Sequence, residues 1–155
     1  MREVALVTGA SSGIGLEIAK ILASQNYNLI ICARREKELL DLSNYISEKY
    51  SVDCNVVVAD LTTDEGVDLL IKESPNVDIL VNNAGFGILG EHLEMDLHRQ
   101  LEMIDLNIHA LTRLSHEIGN MMVKKGKGRI MNVASSNSSF ISYPPDLNSV
   151  TLHIF

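Results

Sequence analysis

Residues 4–15 read Val-Ala-Leu-Val-Thr-Gly-Ala-Ser-Ser-Gly-Ile-Gly, a short apolar run that closes on a glycine-rich turn, with a helical pattern directly after it. The apolar run reads as a strand buried on both faces, the kind found in parallel sheets covered by helices. The glycines let the backbone bend sharply and approach a ligand closely. A helix that starts at such a turn presents unpaired N–H groups to an anion. The pattern Thr8-Gly9-x-x-x-Gly13-x-Gly15 therefore predicts a pyrophosphate cradle, with a dinucleotide as its natural guest.

The rest of the chain repeats the strand-then-helix alternation. Apolar, β-branched runs stand at 4–7, 29–32, 55–59, 78–81 and 129–133. Between them lie helical faces made by Ile14, Ile18, Ile21 and Leu22, then by Leu39, Leu42 and Ile46, then by Val67, Leu70 and Ile71. One long helix is predicted from Leu101, Ile104, Ile108, Leu111, Ile118 and Met122. Such alternation predicts an α/β, doubly wound parallel sheet with right-handed crossovers and helices on both faces. At 155 residues, without repeats or low-complexity linkers, a single domain is expected over 1–155. The character changes near Ser142: Tyr143-Pro144-Pro145 is turn-like, and 143–155 reads as a divergent tail.

Composition narrows the function classes. Apolar residues make up 46% of the chain and aromatics 5%, with no Trp, so aliphatic side chains must fill the core. A net charge of −7 argues against a nucleic-acid surface. The one basic cluster, Lys124, Lys125, Lys127 and Arg129, reads as cations at a helix C-terminus, with Gly126 and Gly128 turning the chain. Cys32 and Cys54 read as reduced core thiols. His92, His98, His109, His116 and His153 lack the spacing of a metal site, and no metal is expected. No segment is long enough to span a membrane, and Met1-Arg2-Glu3 leads straight into a strand, so a cytoplasmic protein without a leader is expected.

Three later segments refine the guest. At the end of the second strand stands Cys32-Ala33-Arg34-Arg35. An acidic residue there would take the ribose hydroxyls of NAD; Ala33 cannot. Arg34 offers a planar, bidentate donor suited to a 2′-phosphate, which favours NADP(H) over NAD(H). Asp60, after the third strand, could accept from an adenine amino group or cap the helix starting near Thr63. In Asn82-Asn83-Ala84-Gly85 the amides can pair with neighbouring backbone, and the small residues leave room for a cofactor; Asn82, Ala84 and Gly85 are the candidates there.

These residues together resemble the classical short-chain dehydrogenase/reductase family. Thr8-Gly9-Ala10-Ser11-Ser12-Gly13-Ile14-Gly15 matches its cofactor loop, and Asp60, Asn82–Gly85, Asn107 and Arg129-Ile130-Met131-Asn132-Val133-Ala134-Ser135 match its later landmarks in order. The resemblance covers about residues 3–140. It implies a Rossmann-like sheet ordered 3-2-1-4-5, and cofactor contacts from Gly9, Ser11, Ser12, Gly13, Ile14 and Gly15. It also implies hydride transfer between a nicotinamide and a carbonyl or alcohol substrate. Asn107 would hold a water of the proton relay, and Ser135, with Ser136 as its competitor, would hydrogen-bond the substrate oxygen.

The family's Tyr-x-x-x-Lys pair belongs on a helix after Ser135. Asn148 and Ser149 occupy that region, and Leu152 and His153 stand where the Lys belongs. Tyr143 is followed by Pro144 and Pro145, which disfavour a helix there. The resemblance thus predicts a C-terminally incomplete member that is inactive as a 155-residue chain. The alternatives are a non-catalytic nucleotide-binding remnant, or a partner-binding module that associates with itself or another chain through an open sheet edge.

Overall fold

The computed structural model describes residues 2–88, 90 and 92–134. Within them the elements run β1 (Val4–Thr8), α1 (Gly13–Ser24), β2 (Asn28–Ala33), α2 (Glu36–Tyr50), β3 (Cys54–Val58), α3 (Asp64–Lys72), β4 (Ile79–Asn82), α4 (Leu97–Ile104), a π turn (Asp105–Ala110), α5 (Leu111–Lys125) and β5 (Arg129–Asn132). The strands form one sheet in the order β3-β2-β1-β4-β5, the order expected. All pairings are parallel, with Ala5 opposite Leu29 on one side and Ile79 on the other.

Strand side chains alternate between two cores. Leu6, Ile30, Cys32, Val57 and Leu80 pack beneath α3 and α5, against Val67, Leu70, Leu114, Ile118 and Met122. Ala5, Val7, Leu29, Ile31 and Val81 pack beneath α1 and α2, against Ala19, Ala23, Leu39, Leu42 and Ile46. Both faces of β1 are therefore closed, which is why it reads as an uninterrupted apolar run.

Two helical faces depart from expectation. In α1 the buried positions are Gly15, Ala19 and Ala23, whereas Ile14 and Ile21 are 63% and 54% exposed. The small residues recur every fourth position, so α1 lies close to the sheet on a flat stripe; Ile18 and Leu22 of the expected face pack beside it, half-buried, while Ile14 and Ile21 turn outward. The predicted long helix is present as one helical run over 97–125, but the π turn within it winds more widely and shifts the helical phase. Gln100 and Met103 are buried before it, and Ala110, Leu114, Ile118 and Met122 after it; Leu101 and Ile108 face outward.

The N-terminal rim of the sheet is tied by Asp78. Its side chain is buried, with Oδ1 2.6 Å from Lys125 Nζ and 3.0 Å from Lys127 Nζ, while Oδ2 accepts the Val4 N–H at 2.9 Å. Its backbone N–H donates to the Val4 carbonyl and its carbonyl accepts the Arg129 N–H. One residue thus fastens β1, the end of α5 and the start of β5. Lys127 also pairs with Glu3, so two of the four basic residues around the α5–β5 turn are neutralised locally. Glycine is required at that turn, where Gly126 takes a φ of +78°.

Candidate dinucleotide site

The C-terminal ends of β1, β2, β3 and β4 meet at one edge of the sheet, where an open α/β fold places its ligands. Thr8 joins the first and fourth of these. Its Oγ1 accepts the N–H groups of Asn83 and Ala84, both at 3.0 Å, and donates to the Val81 carbonyl. In return the Asn83 amide donates to the carbonyls of Thr8 (3.0 Å) and Gly9 (3.3 Å). The glycine loop is therefore latched to the β4 turn before any ligand arrives.

The glycines divide the work. Gly9 has a φ of +67°, and a Cβ there would come within 2.9 Å of the Ala84 backbone. Gly15, in the first turn of α1, would drive a Cβ into the Asn83 amide and the Gly9 carbonyl. Gly13 has a φ of +57° but meets no atom within 4 Å, so it needs its conformation while the space around it stays open. Ser12 caps α1 in extended conformation without a side-chain hydrogen bond to the helix backbone, and no acidic residue stands in the first turn. The positive end of the helix faces that open space. Ile14, 63% exposed, flanks it.

The arginine pair behaves differently from its reading in the sequence. Arg34 lies 3.8 Å from Asp60 across the ends of β2 and β3, in an exposed ion pair. Arg35 reaches back over the glycine loop. Its Nε and Nη2 donate to Ser11 Oγ at 3.2 and 3.0 Å, and Nη2 donates to Ser12 Oγ at 2.6 Å. Arg35, next to the Arg34 favoured by sequence, is the guanidinium that meets the two serines of the loop. Its signal was the adjacent guanidinium on a loop bearing two serines.

Asp60 accepts from the N–H and hydroxyl of Thr62 through Oδ1. The cap of α3 is Thr63, whose Oγ1 accepts the Gly66 N–H at 3.1 Å, so the capping alternative for Asp60 is not taken. Asn82 is committed to the frame. It is buried, and its amide donates to Ser115 Oγ and Asn132 Oδ1, tying β4 to α5 and β5 rather than facing the cleft. Ala84 and Gly85 line the edge beyond Asn83, and a Cβ on Gly85 would sit 3.0 Å from Asn107 Oδ1.

Asn107 lies in the π turn, not on a regular helix. Its amide clamps one residue of the β4 turn: Oδ1 accepts the Phe86 N–H at 3.1 Å, and Nδ2 donates to the Phe86 carbonyl at 2.9 Å. The side chain is thereby spent on the backbone. Ser135 and Ser136, Tyr143 and the tail 143–155 lie outside the described residues.

One Tyr-x-x-x-Lys spacing does occur, at Tyr45 and Lys49 in α2. Tyr45 Oη lies 2.6 Å from Lys49 Nζ. The Lys49 hydrogen bond, helped by the nearby Lys20 charge, lowers the phenol below its ordinary range. The pair stands in the last turns of a helix that runs away from the strand C-termini, so it is remote from the glycine loop. Burial pushes the Cys32 thiol up to about 12, which keeps it protonated and inert at neutral pH. Among the described residues no group of three metal-ligating side chains gathers, and no helix is long and apolar enough to cross a membrane.

The fold is an α/β domain of the doubly wound, Rossmann-like class. A profile of the short chain dehydrogenase family matches residues 3–144, and the chain belongs to that family. It is 36% identical over 135 residues to a 3-oxoacyl-[acyl-carrier-protein] reductase of Rickettsia prowazekii, a match covering 86% of this chain and 54% of that protein. An uncharacterized oxidoreductase of Staphylococcus saprophyticus is 33% identical over 137 residues, covering 86% and 58%. Among solved structures, a short-chain dehydrogenase from Sphingobium yanoikuyae in complex with NADPH superposes with a TM-score of 0.85 at 30% identity, covering 88% of this chain and 55% of that one. L-sorbose reductase from Gluconobacter frateurii, complexed with NADPH and L-sorbose, does so with a TM-score of 0.85 at 32% identity, covering 89% and 54%. The chain spans a little over half the length of these relatives.

Proposed function

We propose that this chain is the NADP(H)-binding portion of a short-chain oxidoreductase, and that the 155-residue polypeptide holds the dinucleotide without turning over a substrate. The observation that carries the cofactor choice is the pair of guanidiniums at the end of β2. Arg35 is drawn over Ser11 and Ser12, and Arg34 stands beside it with only an exposed ion pair to Asp60. Ala33 leaves no carboxylate to take a ribose diol. A 2′-phosphate would find two planar donors there, and would compete for them with the exposed carboxylates of Asp60 and Glu38. The open space at Gly13, the loop latched by Asn83 and the uncapped start of α1 fit a pyrophosphate. Asp60 is placed to accept from an adenine amino group once Arg34 moves to the phosphate. NADPH complexes among the similar structures support the same choice.

Bound nicotinamide exchanges a hydride with a carbonyl or alcohol carbon, and a protein of this family positions the substrate and moves the proton. Ser135 is assigned to the substrate oxygen, and the Asn107 side chain, held by the Phe86 backbone, to fixing the β4 turn. Residues 136–155 carry no Tyr-x-x-x-Lys pair, so this stretch supplies no positioned acid for the developing alkoxide. General acid–base assistance of that kind is worth roughly 10² to 10⁴ in rate. The test is a binding titration beside a turnover assay with generic ketones. Binding of NADPH in preference to NADH, without oxidation of NADPH, is expected. A failure to bind either nucleotide would remove the proposal.

A further inference from the structure

We infer that Arg99 is a positioning residue for the half of the site opposite the adenine, acting through the ring of Phe86; the inference rests on the NADP(H) reading above. In the order β3-β2-β1-β4-β5 the arginine pair and Asp60 occupy the β2–β3 side. A dinucleotide laid across the glycine loop carries its other half toward β4 and β5. Phe86 stands there, just beyond the Asn83–Ala84 turn.

Phe86 is fixed at two points. The Asn107 amide holds both its backbone N–H and its carbonyl, at 3.1 and 2.9 Å. The Arg99 guanidinium lies 4.8 Å from the centre of its ring and is itself paired with Glu102. The backbone clamp places the residue but leaves the ring free to rotate. Glycines flank it, Gly85 on one side and Gly87 on the other, and a Cβ at Gly87 would meet nothing within 4 Å. The ring itself is half-buried, and the Arg99 guanidinium lies over its face as a restraint on its orientation. The platform beneath Arg99 is rigid: the adjacent Gln100 is buried, and its amide donates to the carbonyls of His92 and Met95, pinning the loop to α4. Phe86 thus forms a wall of the nicotinamide side, set by Asn107 through the backbone and by Arg99 through the ring.

The test compares two probes on the 155-residue polypeptide: NADPH, followed by its nicotinamide fluorescence, and adenosine 2′,5′-bisphosphate, which lacks the nicotinamide half. Arg99→Leu should weaken NADPH about three-fold or more and reduce its fluorescence enhancement, as expected for one exposed cation–π contact. It should leave adenosine 2′,5′-bisphosphate unchanged. Arg99→Lys should recover part of the loss, and Phe86→Leu should make the Arg99 substitution silent toward NADPH. A structural defect would move both probes together. If Arg99→Leu binds NADPH like the unaltered chain, or loses both probes equally, the inference is overturned and the cofactor reading stands. If the unaltered chain binds neither probe, the cofactor reading falls and takes the inference with it.

Discussion

Replacing Asp78 with Asn tests how the open rim of the sheet is held. The carboxyl is 7% exposed, while Lys125 and Lys127 are 33% and 52% exposed, so the carboxylate is the member that depends on its partners. Burial alone would raise its pKa; the hydrogen bonds from Lys125, the Val4 N–H and Lys127 outweigh that and hold it at about 2, against an ordinary 3.8. At about 1.4 kcal/mol per unit, that difference is worth about 2 kcal/mol to the folded state. A depressed carboxyl stabilises the fold above its unfolded pKa, and the contribution fades as pH falls toward the folded one. Urea unfolding of both chains, followed by circular dichroism, should therefore give a gap of about 2 kcal/mol at pH 7, or roughly 4–8 °C in Tm. The gap should persist to about pH 5 and close as the pH falls from about 4 toward 2. A gap that stayed constant down to pH 3, or none at pH 7, would refute the reasoning, because the lysines would then be exchanging the carboxylate for water at no cost.

Other consequences follow from the same structure. Arg34→Ala and Arg35→Ala should each weaken NADPH about 5- to 30-fold while leaving NADH nearly unchanged, measured by fluorescence titration. Gly15→Ala, whose methyl would collide with the Gly9 carbonyl and the Asn83 amide, should cost about 1–3 kcal/mol in urea unfolding and also weaken NADPH; Gly15→Ala with unaltered stability would show the loop to be loosely packed. Cys32 should resist a thiol reagent at pH 8 until the chain is unfolded, given a thiol at about 12. Tyr45→Phe should leave NADPH affinity unchanged and remove a phenol whose ultraviolet titration is displaced to lower pH by Lys49.

The centre of the sheet was legible in the sequence because its strands are buried on both faces: β1, with Ala5, Leu6 and Val7 all fully buried, cannot be read otherwise. The glycine loop was legible for the same reason in reverse, since only glycines satisfy the close approaches at Gly9 and Gly15. Helical faces were harder. A stripe of Gly15, Ala19 and Ala23 gives no pattern of large side chains, so the face read from Ile14, Ile18, Ile21 and Leu22 is right for Ile18 and Leu22, which pack beside the stripe, and wrong for Ile14 and Ile21. The π turn at Asp105–Ala110 leaves no trace in residue type, yet it shifts the buried face around Asn107. Side-chain partnerships between distant residues stayed invisible. Asp78 with Lys125, Arg35 with Ser11 and Ser12, and Arg99 with Phe86 join positions that only the fold brings together. Of the candidate site, the loop and strand-end positions were readable; the choice between adjacent arginines and the inward turn of Asn82 depended on rotamers.

The most direct test of the central claim is an equilibrium titration of the 155-residue polypeptide with NADPH and with NADH in the same buffer, followed by a turnover assay on the same sample. The account predicts NADPH tighter by about ten-fold or more, a difference near 1.4 kcal/mol, with no NADPH consumed when generic ketones are added. Equal affinities, a preference for NADH, or sustained NADPH oxidation would contradict it.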